Sequence, residues 1–148
     1  MVKIITKSGL LDYLPTIEAM EAKVAEIIKG KSAEEIWFLE HKPVYTAGTS
    51  AVESDLIESN FPVHKVGRGG KYTYHGPGQR IAYFMLELKN HYNPPDLKKF
   101  VCDLEQWVID SLKDVGVESF RRSGRVGIWC LDKKGNEAKI AAIGIRVR

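Results

Sequence analysis

Cysteine is scarce in this chain, and long apolar runs are absent. Only Cys102 and Cys130 occur in 148 residues, too few for the disulfide framework of a small secreted domain, and neither belongs to a Cys-x-x-Cys pair, so no structural zinc or other metal is expected. No apolar stretch approaches the roughly 20 residues that a bilayer-spanning helix needs. The opening Met1-Val2-Lys3-Ile4-Ile5-Thr6 lacks the apolar region ending in small residues that marks a secretory signal. The expected location is therefore the cytoplasm, with no membrane partner. Basic residues are not gathered into a nucleic-acid groove: 22 Lys and Arg against 19 Asp and Glu give a net charge of +3, mildly favourable to an acidic partner and no more. Repeats and low-complexity tracts are also missing. What remains, 44% hydrophobic and 28% charged residues in 16.7 kDa, predicts one soluble globular domain with a sizeable core.

Two helices are predicted. Residues 12–29 place Leu14, Ile17, Met20, Val24 and either Ile27 or Ile28 on one stripe, with Pro15 in the first turn and Gly30 as the stop. The following Gly30-Lys31-Ser32 imitates the tail of a phosphate loop, but its leading glycine position is Ala25 and it ends a helix. The second helix follows Asn93-Pro94-Pro95-Asp96, with its stripe at Leu97, Phe100, Val101, Leu104, Val108, Leu112 and Val115, and Gly116 closing it. Cys102 and Trp107 lie beside that stripe and are expected to pack in the core. Strands are predicted at 36–39, 61–66, 81–88, 117–120, 126–131 and 138–147, with a helical turn at 55–60 and a hairpin turn at 132–136. Residues 41–49 read as a loop, in which His41 and Tyr45 either line a pocket or cap a strand end. Arg121, Arg122 and Arg125 fall in a basic turn, a solvated surface feature or a weak nucleic-acid contact.

The densest chemistry lies at 66–79, Val-Gly-Arg-Gly-Gly-Lys-Tyr-Thr-Tyr-His-Gly-Pro-Gly-Gln, read as a loop between strands. Glycines let a backbone approach a ligand and aim its N–H groups at a carbonyl or an anion, and Arg68, Lys71 and His75 add charge and proton traffic. A connecting turn alone has no need of large polar side chains at consecutive positions. Lys139, at the head of an apolar strand, either snorkels to solvent or works inside a pocket.

Three motifs, Gly67 to Gln79, Pro43-Val44-Tyr45-Thr46-Ala47-Gly48-Thr49, and Lys139-Ile140-Ala141-Ala142-Ile143-Gly144, together resemble the octanoyltransferase family, also called lipoate-protein ligase B, over nearly the whole chain. The resemblance implies a mixed α/β (α+β) fold, a largely antiparallel sheet with both helices packed on one face, as in the biotin/lipoate protein ligase catalytic domain. It implies transfer of an octanoyl group from octanoyl-acyl carrier protein to a lysine of lipoyl domains, those of 2-oxoacid dehydrogenase complexes and of the glycine cleavage protein, through a cysteine thioester and without ATP or a cofactor. By the same resemblance, Arg68, Gly69, Gly70, Lys71, Tyr72, Thr73, Tyr74 and His75 bind substrate, as do Ala142, Ile143 and Gly144. Lys139 matches the lysine that lowers the nucleophile's pKa. The chemistry suits those places: the thiolate is the reactive form of cysteine, an ammonium favours it, and N–H groups of glycine turns can hold an oxyanion.

This sequence departs from the family in one respect. The family's nucleophile sits in a Pro-Cys-Gly motif downstream of the lysine strand, and neither Cys102 nor Cys130 has that context. Residues 1–148 are thus expected to form one catalytic domain missing the family's C-terminal part, with exposed apolar edges and self-association as consequences. Alternatively, a hairpin turning about Lys134-Gly135 would set Cys130 opposite Lys139, whereas one centred on Gly135-Asn136 would not. Two other functions stay open: an ATP-dependent lipoate or biotin ligase, and an inactive module that binds an acyl carrier or lipoyl domain.

Overall fold

The computed structural model describes all residues, 1–148, and their contacts divide into two compact units, residues 1–87 with 146–148, and residues 88–145. In the first unit, β1 (Lys3–Leu11), α1 (Tyr13–Ile28) and β2 (Glu35–His41) form a strand–helix–strand unit whose strands pair in parallel, and β6 (Ile81–Met85) adds antiparallel to β2. A second sheet has β3 (Val44–Ala47) in the centre, parallel to β4 (Val63–Lys65) and antiparallel to β5 (Tyr72–His75).

The first helix obeys its sequence. Its C-terminus closes with Lys31 N–H on the Glu26 carbonyl and Gly30 N–H on the Ile27 carbonyl, both 2.9 Å, with Gly30 at φ +68°. Only glycine takes that left-handed position without cost, and the paired bonds satisfy carbonyls that a helix end leaves bare. Its inner stripe delivers Met20, Val24 and Ile27 to a core completed by Trp37 and Leu39 of β2 and Ile81 and Met85 of β6. Although 36–39 is continuously apolar, β2 alternates strictly: Glu35, Trp37, Leu39 and His41 are buried, and the residues between are half-buried. The buried Glu35 carboxylate is satisfied by the Trp37 indole N–H at 2.7 Å and the Lys23 ammonium at 3.4 Å, as burial of a charge requires.

In the second unit, α2 (Leu97–Asp114) starts at Asp96, whose side chain accepts from Lys99 N–H at 2.9 Å, a cap of the expected kind. A three-stranded antiparallel sheet follows, ordered β7 (Phe120–Arg122), β8 (Arg125–Leu131) and β9 (Glu137–Ala141). Ile128 of β8 is fully buried. Glu105 of α2, also buried, accepts from Arg121 Nε at 3.0 Å and from Gly127 N–H at 3.4 Å, and Arg121 also donates to the Cys102 carbonyl at 2.8 Å. The helix is thereby stitched to its sheet by a charge as well as by apolar contact.

The expected mixed α/β class is observed, with antiparallel pairs in the majority, but the strands form three sheets of three. Several details differ from expectation. β1 was not foreseen, residues 44–47 are a strand within the expected loop, and the helical turn falls at Glu53–Asp55. Cys102 is exposed and Trp107 is 43% exposed, so neither serves the core. The last strand ends at Ala141 instead of reaching residue 147.

Candidate functional site

The glycine-rich segment is half loop and half strand. Gly67 to Lys71 turn, and Tyr72–His75 pair with β3 in the register Val44 with His75, Tyr45 with Tyr74, Thr46 with Thr73 and Ala47 with Tyr72. Successive side chains of a strand point to opposite faces, so the expected substrate residues are divided. Thr73 and His75 share a face with Val44 and Thr46, while Tyr72 and Tyr74 share the other with Tyr45. On that second face Tyr74 lies 5.5 Å from Tyr45 and 5.8 Å from Phe61, ring centre to ring centre. An open groove of about 350 Å³ runs there between Tyr45, Tyr72 and Tyr74 and the residues Leu56, Ile57 and Glu58.

Arg68 points inward and binds backbone. Its guanidinium donates to the Thr46 carbonyl at 3.0 Å, the Thr46 hydroxyl at 2.6 Å, the Gly69 carbonyl at 2.9 Å and the Lys71 carbonyl at 3.2 Å. Lys71 instead turns outward to Asp55 at 2.9 Å. Gly48, at the end of β3, lies so close beneath the loop that a Cβ there would stand 2.3 Å from the Gly70 carbonyl oxygen. Three features therefore fix the loop: an arginine fork, a glycine floor and the β3–β5 ladder.

Around His75 stands a group of rings that motif reading largely missed. Tyr13, the first residue of α1, stacks on His64 of β4 (5.8 Å) and His75 of β5 (6.2 Å), and meets His41 of β2 edge-on at 5.2 Å. His41 and His75 are 6.0 Å apart, and Tyr83 of β6 lies 5.9 Å from His41. Of these, the sequence singled out His75 and left His41 undecided. The others are isolated aromatic or imidazole residues until strand pairing, parallel and antiparallel, gathers them, and no local motif marks them.

The hydrogen bonds fix the ring chemistry. His41 Nδ1 is 3.0 Å from the Leu11 carbonyl, which can only accept, and Nε2 is 2.9 Å from the Tyr83 hydroxyl. In a neutral ring Nδ1–H donates and Nε2 accepts from Tyr83. Burial keeps His41 neutral by holding its pKa below 6.5, against the pull of the Leu11 carbonyl. His75 is likewise lowered, first by burial and further by His41 and Arg68, with the Gln79 hydrogen bond opposing. Its Nδ1–H donates to Gln79 Oε1 at 2.7 Å, which leaves Nε2 as the proton acceptor of a neutral imidazole. Burial raises the phenols of Tyr13 and Tyr83, so both remain donors at neutral pH.

In the second unit, Lys139 is exposed on β9 and pairs across the ladder with Trp129; Cys130 pairs with Ala138. The hairpin loop is centred on Lys134: Gly135 N–H bonds the Asp132 carbonyl at 3.0 Å, Gly135 takes φ +82°, and Asp132 N–H bonds the Asn136 carbonyl at 2.8 Å. This is a type I turn closed by a left-handed glycine. The register removes the Cys130–Lys139 pairing considered from sequence, and alternation turns the two side chains to opposite faces. Ala142, Ile143 and Gly144 follow β9 in irregular backbone, Ile143 half-buried and its neighbours exposed. No group of three or more His, Cys, Asp or Glu side chains is placed to hold a metal ion.

Comparison with known proteins identifies the scaffold. Residues 12–148 match the lipoyl protein ligase A/B catalytic domain. An octanoyltransferase of Cereibacter sphaeroides is 52% identical over 95% of this chain and 67% of its own length, and one of Sphingopyxis alaskensis 49% identical over 97% and 65%. The chain thus spans about two thirds of these relatives. Two solved structures share the fold at low identity: P. falciparum LipL1 in complex with lipoate (TM-score 0.56, 14% identity, 86% of this chain and 40% of that one) and the bi-partite lipoate protein ligase of Thermoplasma acidophilum (0.53, 17%, 88% and 51%). With half of its residues shared with named octanoyltransferases along almost its whole length, the chain belongs to the octanoyltransferase family of acyltransferases.

Proposed function

We propose that this chain carries the substrate-holding face of an enzyme that transfers octanoyl from octanoyl-acyl carrier protein to a lysine of a lipoyl domain, the first step of endogenous protein lipoylation, in the cytoplasm. Acceptors of this description are the lipoyl domains of 2-oxoacid dehydrogenase complexes and the glycine cleavage protein. The identity of about one half to octanoyltransferases across nearly all of the chain carries this reading. Both compact units are assigned to one catalytic domain, because the matched residues 12–148 run through both.

The chemistry has two balanced halves. A cysteine thiolate attacks the octanoyl thioester carbonyl, the bond to the carrier sulfur breaks, and the carrier leaves as its thiolate, which on balance takes up the proton that the amine releases in the second half. The acceptor lysine amine then attacks the enzyme thioester, an amide forms, the thiolate is released and the amine loses a proton. Residues 68–75 and 142–144 are assigned to substrate binding. Lys139 is assigned to stabilising the thiolate. His75 Nε2, unprotonated in a half-buried ring whose pKa is lowered, suits the receipt of the amine proton. Glycine-turn N–H groups suit the tetrahedral oxyanion.

The test is the intact mass of a lipoyl domain mixed with this protein and octanoyl-acyl carrier protein without ATP. Gain of one octanoyl group by the lipoyl domain supports transfer. Gain only when ATP is added points to a ligase. Retained binding with no change in any mass points to a binding module.

A further inference from the structure

Lys139 does not project freely. Gly127 of β8 has φ +111°, and a Cβ built there would stand 2.7 Å from the Ala141 carbonyl oxygen and 3.3 Å from both Cδ and Cε of Lys139. The lysine stem therefore runs over the bare backbone of Gly127. Its ammonium ends 5.0 Å from the centre of the Trp129 ring, within cation–π range. The ring is itself fixed: its indole N–H donates to the Arg125 carbonyl at 3.1 Å, and the Arg125 guanidinium lies 3.8 Å from its centre. Glu137 takes Arg125 at 3.1 Å and also bonds Arg122, so a carboxylate offsets the like charges near the ring. Beneath Gly127, its N–H reaches the buried Glu105 carboxylate.

From these contacts we propose that Gly127 and Trp129 form a seat for Lys139, a trough for its stem and a π-face for its ammonium, and that they act as positioning residues for acyl transfer. The seat is a property of this unit alone; its catalytic meaning rests on the role assigned to Lys139 above. Physically, a flexible four-carbon stem needs such confinement if its charge is to favour a thiolate at a fixed place.

The experiment is competitive acylation of the intact protein with an N-hydroxysuccinimide ester, reading the ratio of Lys139 to Lys134 modification by peptide mass spectrometry. Lys134, exposed at the hairpin tip, is the internal reference. An ammonium that must leave a ring before it reacts is protected, so Trp129→Leu is expected to raise the ratio by about two- to fivefold. Trp129→Phe, which keeps a π-face, is expected to stay near wild type, and Gly127→Ala to behave like Trp129→Leu. An unchanged ratio in Trp129→Leu, or equal ratios in the Leu and Phe variants, overturns the seat. Octanoyl transfer that survives Lys139→Met, while the Trp129 and Gly127 variants label as expected, would remove the catalytic role of Lys139 and leave the seat standing.

Discussion

Arg68 directs its guanidinium at the protein's own backbone, with four hydrogen bonds to Thr46, Gly69 and Lys71. A lysine has one compact ammonium and cannot reproduce the fork. Arg68→Lys is expected to lower stability by about 1.5–3 kcal/mol, read by chemical denaturation, with faster proteolytic cleavage inside 67–71. His41 and His75 make a second prediction. Burial holds both below 6.5 in the fold, so between those lowered values and 6.5 the unfolded chain binds more protons than the folded one. Stability is full above 6.5, falls as pH drops through that window, and levels off once the folded rings protonate. The thermal midpoint is expected to fall on acidification below 6.5, and His41→Gln to flatten the slope. A wild-type midpoint that is flat across the window would refute the neutral-ring assignment. At this scale the sequence singled out Arg68 and His75 by motif and Lys139 by resemblance, as candidates. Tyr13, His64 and Tyr83 could not be read, because nothing within a few residues of each distinguishes a site ring from a core ring.

Elements show how local and distant information divide. Both helices were legible because stripe, proline, cap and terminal glycine are all local. β1 was not: Lys7-Ser8-Gly9 interrupts it, its register with β2 shifts between Thr6 and Leu10, and only parallel pairing through α1 makes it a strand. β5 was hidden for the opposite reason, since its four residues lie among glycines that advertise a loop. The end of β3 sets a sharp constraint on that loop. Gly48→Ala would place a methyl 2.3 Å from the Gly70 carbonyl oxygen, with an expected cost of about 1–3 kcal/mol. In β2, Leu39 is fully buried, and Leu39→Ala is expected to cost about 2–5 kcal/mol. Each is measured by urea unfolding against wild type.

Across the whole molecule, burial is uneven. The buried apolar cluster lies in the unit containing α1 and β2, whereas β9 has no buried residue. Native-state hydrogen exchange is expected to find the slowest amides in β2 and much faster ones in β9; equal protection would contradict it. Charge is uneven too: residues 117–145 hold six basic and three acidic residues, so the net +3 of the chain equals that of this stretch. Composition gives the total, and the order of residues shows where it is carried. The two-faced β5 has a consequence for how this protein can change over time. Because Thr73 and His75 look one way and Tyr72 and Tyr74 the other, loss or gain of a single residue within that strand would exchange the two sets wholesale. Length variation there is tolerable only by even numbers, so parity is inherited along with the residues.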